Sequence, residues 1–177
     1  MNTSAVIRIS VLALCLFHAL ILCASDFQKE QRWVDQIVDS LIEGKVLWLV
    51  ANGHKFLTLY TESAHKSPKG AVIILHGIGA HPNWNEVVYP LRTRLPGLGW
   101  HSLSIQMPVL PNDAEYKQYA SLFSEIAPRV NAAIKFLKTK KIKTIILIGH
   151  SLGATMGAYF LAKNPLPEIK ALVAIGG

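Results

Sequence analysis

Cysteine is scarce in this 177-residue chain, and its two copies, Cys15 and Cys23, both fall within the first 25 residues. The rest of the chain has no thiol, which excludes a disulfide framework, a cysteine nucleophile and a thiolate metal site there. Charge is scarce too, at 16% of residues against 51% hydrophobic. Acidic residues are the rarer sign, 11 against 18 lysines and arginines, which leaves a formal net charge of +7. The densest basic stretch, Lys135, Lys138, Lys140, Lys141 and Lys143, comes with no nucleic-acid motif. It reads as solvated lysines at the negative end of a helix dipole, so no nucleic-acid partner is expected. Neither a Gly-x-Gly-x-x-Gly loop nor a Walker lysine follows a strand-like run, which removes a dinucleotide or P-loop site. No metal and no cofactor is expected. The sequence does not set the oligomeric state.

The apolar excess has a local source. Met1 to Ser25 carries one early charge, Arg8, and then an apolar run from Ile9 to Ala24 broken only by Ser10 and His18. This is the layout of a secretory signal peptide, and Cys23-Ala24-Ser25 supplies small residues for a signal peptidase. Cleavage is expected after Ser25, leaving residues 26–177 as one domain. The run is short for a membrane span, so no stable span is expected after cleavage. Bulky Leu22 speaks against lipid attachment at Cys23. An exported, disulfide-free domain fits a bacterial periplasm.

Along the mature chain, Trp33, Val34, Ile37, Val38, Leu41 and Ile42 recur at helical spacing between Asp26 and Glu43, with Gly44 as a stop. Val46 to Val50 and Phe56 to Tyr60 flank Asn52-Gly53, a strong hairpin signal, with His54 expected in solvent at its turn. Ala71 to Leu75 is continuously apolar, as strands covered on both faces are. A helix is expected from about Trp84 to Leu95, and a strand over His101 to Gln106. The Ala114 to Thr139 stretch has helical periodicity, with a kink or split expected at Pro128. A strand leading to Gly149, a helix behind it and a buried-type strand over Ile169 to Ile175 complete the series. Such alternation predicts an α/β fold: a mostly parallel sheet with an N-terminal hairpin and helices on both faces.

One stretch organises the rest. The apolar, β-branched run before Gly149-His150-Ser151-Leu152-Gly153 meets a helix-compatible, small-residue segment directly after it. A Gly-x-Ser-x-Gly pentapeptide alone is a weak signal, but strand before and helix after are what a nucleophile elbow needs. Gly149 and Gly153 permit the tight turn, and Ser151 is the candidate nucleophile. Acyl transfer also needs donors for the developing oxyanion. Leu152 N–H, at the start of the helix, is one. Ile78 N–H, in the loop where Gly77 and Gly79 let backbone approach a substrate, is the other, with Gly79 as the nearby alternative. His76 is expected to shape that loop through hydrogen bonds, and His81 is a possible substrate contact. The expected partner is a small-molecule acyl substrate.

These motifs resemble the α/β-hydrolase superfamily in register from about Val46 to Gly177. More closely, the chain is similar to an uncharacterised family of exported bacterial α/β-hydrolase-like proteins. That likeness is carried by Gln31-Arg-Trp33, His76-Gly-Ile-Gly-Ala-His-Pro-Asn-Trp84, Gly99-Trp100 and Ser104-Ile-Gln-Met-Pro108. The superfamily resemblance implies a catalytic acid and a histidine after the serine in chain order. Beyond Ser151 the chain has no His and no Asp, and its only carboxylate is Glu168. The expectation is an exported serine hydrolase, cut after its sixth strand, whose 177 residues alone turn over negligibly. The alternative is a complete, non-catalytic relative acting as a binding or scaffold protein of the cell envelope.

Overall fold

The computed structural model describes residues 25–176. All of the expected signal segment but Ser25, and both cysteines, therefore lie outside the described residues. A six-stranded sheet, in the order β1-β2-β4-β3-β5-β6, forms the frame. Its strands are β1 (Lys45–Ala51), β2 (His54–Thr61), β3 (Gly70–Leu75), β4 (Trp100–Ile105), β5 (Ile145–His150) and β6 (Ile169–Ile175). β2 runs antiparallel to both β1 and β4, and the other pairings are parallel. This is the expected architecture. Asn52 (φ 50°) and Gly53 (φ 80°) turn the first hairpin, the two positive φ values a tight two-residue turn requires.

Helices α1 (Phe27–Val38) and α2 (Val88–Arg94) cover one face. α3 (Phe123–Thr139) and α4 (Leu152–Lys163) cover the other. Alternate residues of β3 divide accordingly: Ala71, Ile73 and Leu75 join the large core with Ile126, Val130, Met156 and Phe160. Val72 and Ile74 meet Val88 and Ile148 on the opposite face. A strand buried on both sides has no room for polar alternation, which is why Ala71 to Leu75 is continuously apolar.

Several expected boundaries shift, each for a visible reason. α1 stops at Val38, where the Ser40 hydroxyl donates to the Gln36 carbonyl at 2.7 Å and competes with the helical pattern. α2 begins only at Val88, because the Asn83 side chain is held by Arg92 (Nη2 to Oδ1 2.8 Å) and keeps the preceding segment in turns. The Ala114 to Thr139 stretch splits at Leu122, where a 3-10 run over Tyr116–Leu122 gives way to α3, and not at Pro128. Pro128 and Ser124 line the same surface cavity, so water can serve the carbonyl that the proline leaves without a donor. β6, expected to be buried, is half exposed, and among the described residues it is an edge strand that pairs only with β5. His54 is not simply solvated: its ring stacks on Phe27 at 3.8 Å, and Nε2 lies 3.2 Å from Glu30 Oε2.

Among the described residues no helix is long and apolar enough to cross a membrane. No group of three His, Cys, Asp or Glu side chains there could hold a metal ion.

Candidate active site

The carboxyl ends of parallel strands are where such sheets place ligands, and two loops meet there. After β5 the chain reverses into α4 through Ser151, at φ 51° and ψ −124°. A non-glycine residue held there stores about 1–3 kcal/mol of strain. Packing on both sides enforces it. A Cβ on Gly149 would come within 2.5 Å of the Ala154 N and Cα, and one on Gly153 would collide with the Leu75 and His76 carbonyl oxygens. Two backbone bonds fix the bend: Ser151 N–H donates to the Ile175 carbonyl (2.8 Å), and the Ser151 carbonyl accepts from Ala154 N–H (2.9 Å).

The Ser151 side chain faces the loop after β3. A Cβ built on Gly77 would lie 2.9 Å from Ser151 Cβ and 3.4 Å from Ser151 Oγ, so only glycine leaves this approach open. Gly77 to Ala80 forms a turn, closed by Ala80 N–H to the Gly77 carbonyl at 3.3 Å, with Gly79 at φ 70°. Ile78 occupies its second position, 40% exposed, and its N–H makes no backbone hydrogen bond among the described residues. Leu152 opens α4, so its N–H has no intrahelical acceptor and sits at the positive end of the helix dipole. Hydroxyl, glycine loop and helix start thus meet at one edge of the sheet.

Three imidazoles surround this edge, and each has a different environment. His76 is buried, with both ring nitrogens engaged. Nδ1–H donates to the Gly77 carbonyl at 3.0 Å, and Nε2 accepts from Met107 N–H at 2.9 Å. The Gln106 amide nitrogen also lies 3.0 Å from Nε2. Burial pushes the His76 pKa down to about 3, only partly offset by the Gly77 hydrogen bond. It is a neutral brace between the loops after β3 and β4, with no free nitrogen to take a proton. His81 accepts Asn83 N–H on Nδ1 (3.2 Å), and its ring lies 5.6 Å from both Trp33 and Trp84. Burial lowers its pKa as well. His81 and Trp84 line a cavity of about 360 Å³ shared with Gln36, Ile37 and Ser40 of the α1 end. His150 precedes the serine; its Nδ1 is buried without a partner.

Among the described residues no carboxylate is hydrogen-bonded to any of the three imidazoles, although Glu86 lines the His81–Trp84 cavity. Glu168, just before β6 and so at the opposite edge of the sheet, is ion-paired with Lys138 at 2.5 Å. Asp113 is exposed. Sequence reasoning missed three supports of the site. Trp33 from α1 stands edge-on to His76 at 6.1 Å. Gln106 and Met107 grip the His76 ring from the β4 side. Arg129, buried in α3, donates from Nη1 to the Gln106 carbonyl at 2.9 Å and forms a buried ion pair with Glu30 (Nη2 to Oε1 2.7 Å). The signal was in the sequence, since Trp33, Gln106 and Met107 lie in the segments that carry the family likeness.

The architecture matches solved α/β-hydrolase structures. A cold-adapted esterase from an Arctic intertidal metagenomic library is similar over 73% of this chain and 58% of its own, at 19% identity and a TM-score of 0.60. Est1E from Butyrivibrio proteoclasticus is similar over 72% of this chain and 49% of its own, at 19% identity and a TM-score of 0.55. An epoxide hydrolase mutant from Vigna radiata is similar over 75% and 38%, at 20% identity and a TM-score of 0.53. The chain thus spans about half the length of the esterases it resembles, and identities this low carry the fold alone. No curated protein matches it significantly. The family described as Protein of unknown function (DUF3530) matches residues 25–125 and 111–176. With the whole described domain covered, the chain belongs to that family, built on an α/β-hydrolase-like fold.

Proposed function

We propose that this protein is the nucleophile-bearing part of an exported serine hydrolase acting on an ester or related acyl bond. Ser151 Oγ attacks the substrate carbonyl, and the N–H groups of Leu152 and Ile78 receive the oxyanion of the tetrahedral intermediate. The observation that carries this reading is the strained Ser151 backbone, whose hydroxyl lies against the Gly77 loop. Strain of that kind persists only where surrounding packing over-determines it, and it clusters at functional sites. His76 is spent as a brace, so the proposal assigns the general base and its acid to chain outside these 177 residues. The His81–Trp84 cavity supplies an aromatic-lined, mildly polar subsite beside the oxyanion loop.

A fluorophosphonate probe tests the assignment on a chain that includes the base and acid. Covalent labelling at Ser151, lost in Ser151→Ala with the fold intact by circular dichroism, is the expected result. A folded protein that stays unlabelled sinks the hydrolase reading. The 177 residues by themselves should hydrolyse p-nitrophenyl acetate only weakly, since the oxyanion donors and binding leave a small residual rate.

A further inference from the structure

Ser25, expected to leave with the signal segment, is part of the folded domain. It is 4% exposed. Its hydroxyl donates to Glu30 Oε1 at 2.5 Å, accepts from Val109 N–H at 2.7 Å and lies 3.2 Å from the Val109 carbonyl. Asp26 N–H continues this pairing with a 2.7 Å bond to the same carbonyl. The Ser25 backbone nitrogen lies 2.9 Å from Glu125 Oε1.

The charges around that nitrogen do not balance. Glu30 and Glu125 both face one guanidinium, Arg129, at 2.7 and 3.6 Å. Lys29, the next cation along α1, turns its Nζ to the Leu110 carbonyl at 2.8 Å. His54 touches Glu30 only from the half-exposed rim. Two carboxylates against one buried cation leave an excess negative charge where buried Glu30 meets Glu125 at the wall of a surface cavity, and for Glu30 that excess is costly. Burial accordingly pushes the Glu125 carboxyl above its ordinary pKa. A peptide N–H at Ser25 would bring only a dipole, whereas an α-ammonium would bring the missing charge and a stronger, charge-assisted bond.

We infer that the chain is cut between Ala24 and Ser25, one bond earlier than the small-residue pattern suggests. The new α-ammonium of Ser25 then completes the Glu125–Glu30–Arg129 cluster. A signal peptidase adds water across the Ala24–Ser25 amide; Ala24 departs with the carboxylate, and the released Ser25 amine takes up a proton. Ala24 supplies the small residue directly before the bond, with Leu22 at the other position of the A-x-A-like pattern. The family similarity begins at the same serine. Cutting after Ser25 would discard the hydroxyl that serves Val109 and Glu30. The inference rests on the export reading, not on the hydrolase chemistry.

The test is to express the full-length chain with its own N-terminal segment in a Gram-negative host and recover it from the periplasm. Intact mass and N-terminal sequencing should give one terminus, Ser25. A terminus at Asp26 would overturn the inference but leave export standing, while a chain retaining Met1 would overturn both. A second arm compares this protein with one bearing an extra alanine before Ser25. The extended form should melt about 5 °C lower, and Glu125→Gln should remove the difference. Equal melting temperatures in the Glu125 background would overturn the ammonium contact.

Discussion

At Ile78, the geometry permits a substitution that separates backbone from side chain. It is the second residue of a turn whose third, Gly79, has φ 70°, and proline suits the second position of such turns. Ile78→Pro should therefore fold while deleting one proposed oxyanion donor. Its kcat on p-nitrophenyl acetate, measured in a chain carrying acid and base, should fall about 10²–10³-fold, whereas Ile78→Ala should stay near wild type. Equal losses in both would place the role in the side chain. His76 makes a different prediction. Buried and neutral when folded, it can take a proton only when the chain unfolds, so its folded pKa lies below its unfolded one. The stability this gives is present in full above pH 6.5 and is lost as pH falls toward about 3. Each unit within that window should cost about 1.4 kcal/mol. The test compares urea midpoints at pH 7 and pH 5 for wild type and His76→Gln; the variant should lose less over the same drop. The serine elbow was legible in the sequence because Gly149 and Gly153 are local and letter-specific. The brace on His76 was not, because its partners Gln106 and Met107 are 30 or more residues away in the chain.

Among the elements, α1 is the one whose placement matters most to the site. Trp33 on its inner face meets His76 and His81, and Glu30, one turn earlier, is pinned to Arg129 of α3. Arg129 in turn stands over the Phe56 ring at 5.4 Å and bonds the Gln106 carbonyl. Removing the guanidinium strands Glu30 in a buried site, so Arg129→Met should cost about 3–5 kcal/mol. Adding Glu30→Gln should restore part of that loss, because no unpaired charge then remains. Urea denaturation of the two variants measures both, and full additivity would mean that the ion pair does not couple the helices. Periodicity could announce α1 and α3 as helices, since an apolar stripe is a local property. It could not announce their joint, since Glu30 and Arg129 are 99 residues apart and charged residues read from sequence as surface. The family-like segments meet elsewhere, at the His76 ring, through Trp33, Gln106 and Met107.

Over the whole molecule, the basic stretch lies away from Ser151. The lysines at the end of α3 and after it lie at the edge opposite Ser151, where Lys138 pairs with Glu168 and Lys140 sits about 6 Å from the Tyr60 and Phe136 rings. Exposed apolar side chains occur on both edge strands, Trp48 and Val50 on β1 and Val173 on β6. The β6 run over Ile169 to Ile175 reads as buried on both faces, yet within the described sheet it bonds only to β5, and Val173 is 44% exposed. Side chains of a strand point to its two faces, so the apolar letters of β6 concern those faces, while its backbone edge away from β5 is unpaired among the described residues. An open, apolar edge is a template for pairing with another chain. The 177-residue polypeptide should therefore self-associate as its concentration rises, and Val173→Lys should keep it monomeric without unfolding it, because a charge on an edge strand opposes pairing. Sedimentation velocity across a concentration series decides this. If wild type and variant are equally monomeric, β6 does not behave as an open edge, and its apolar run needs another explanation.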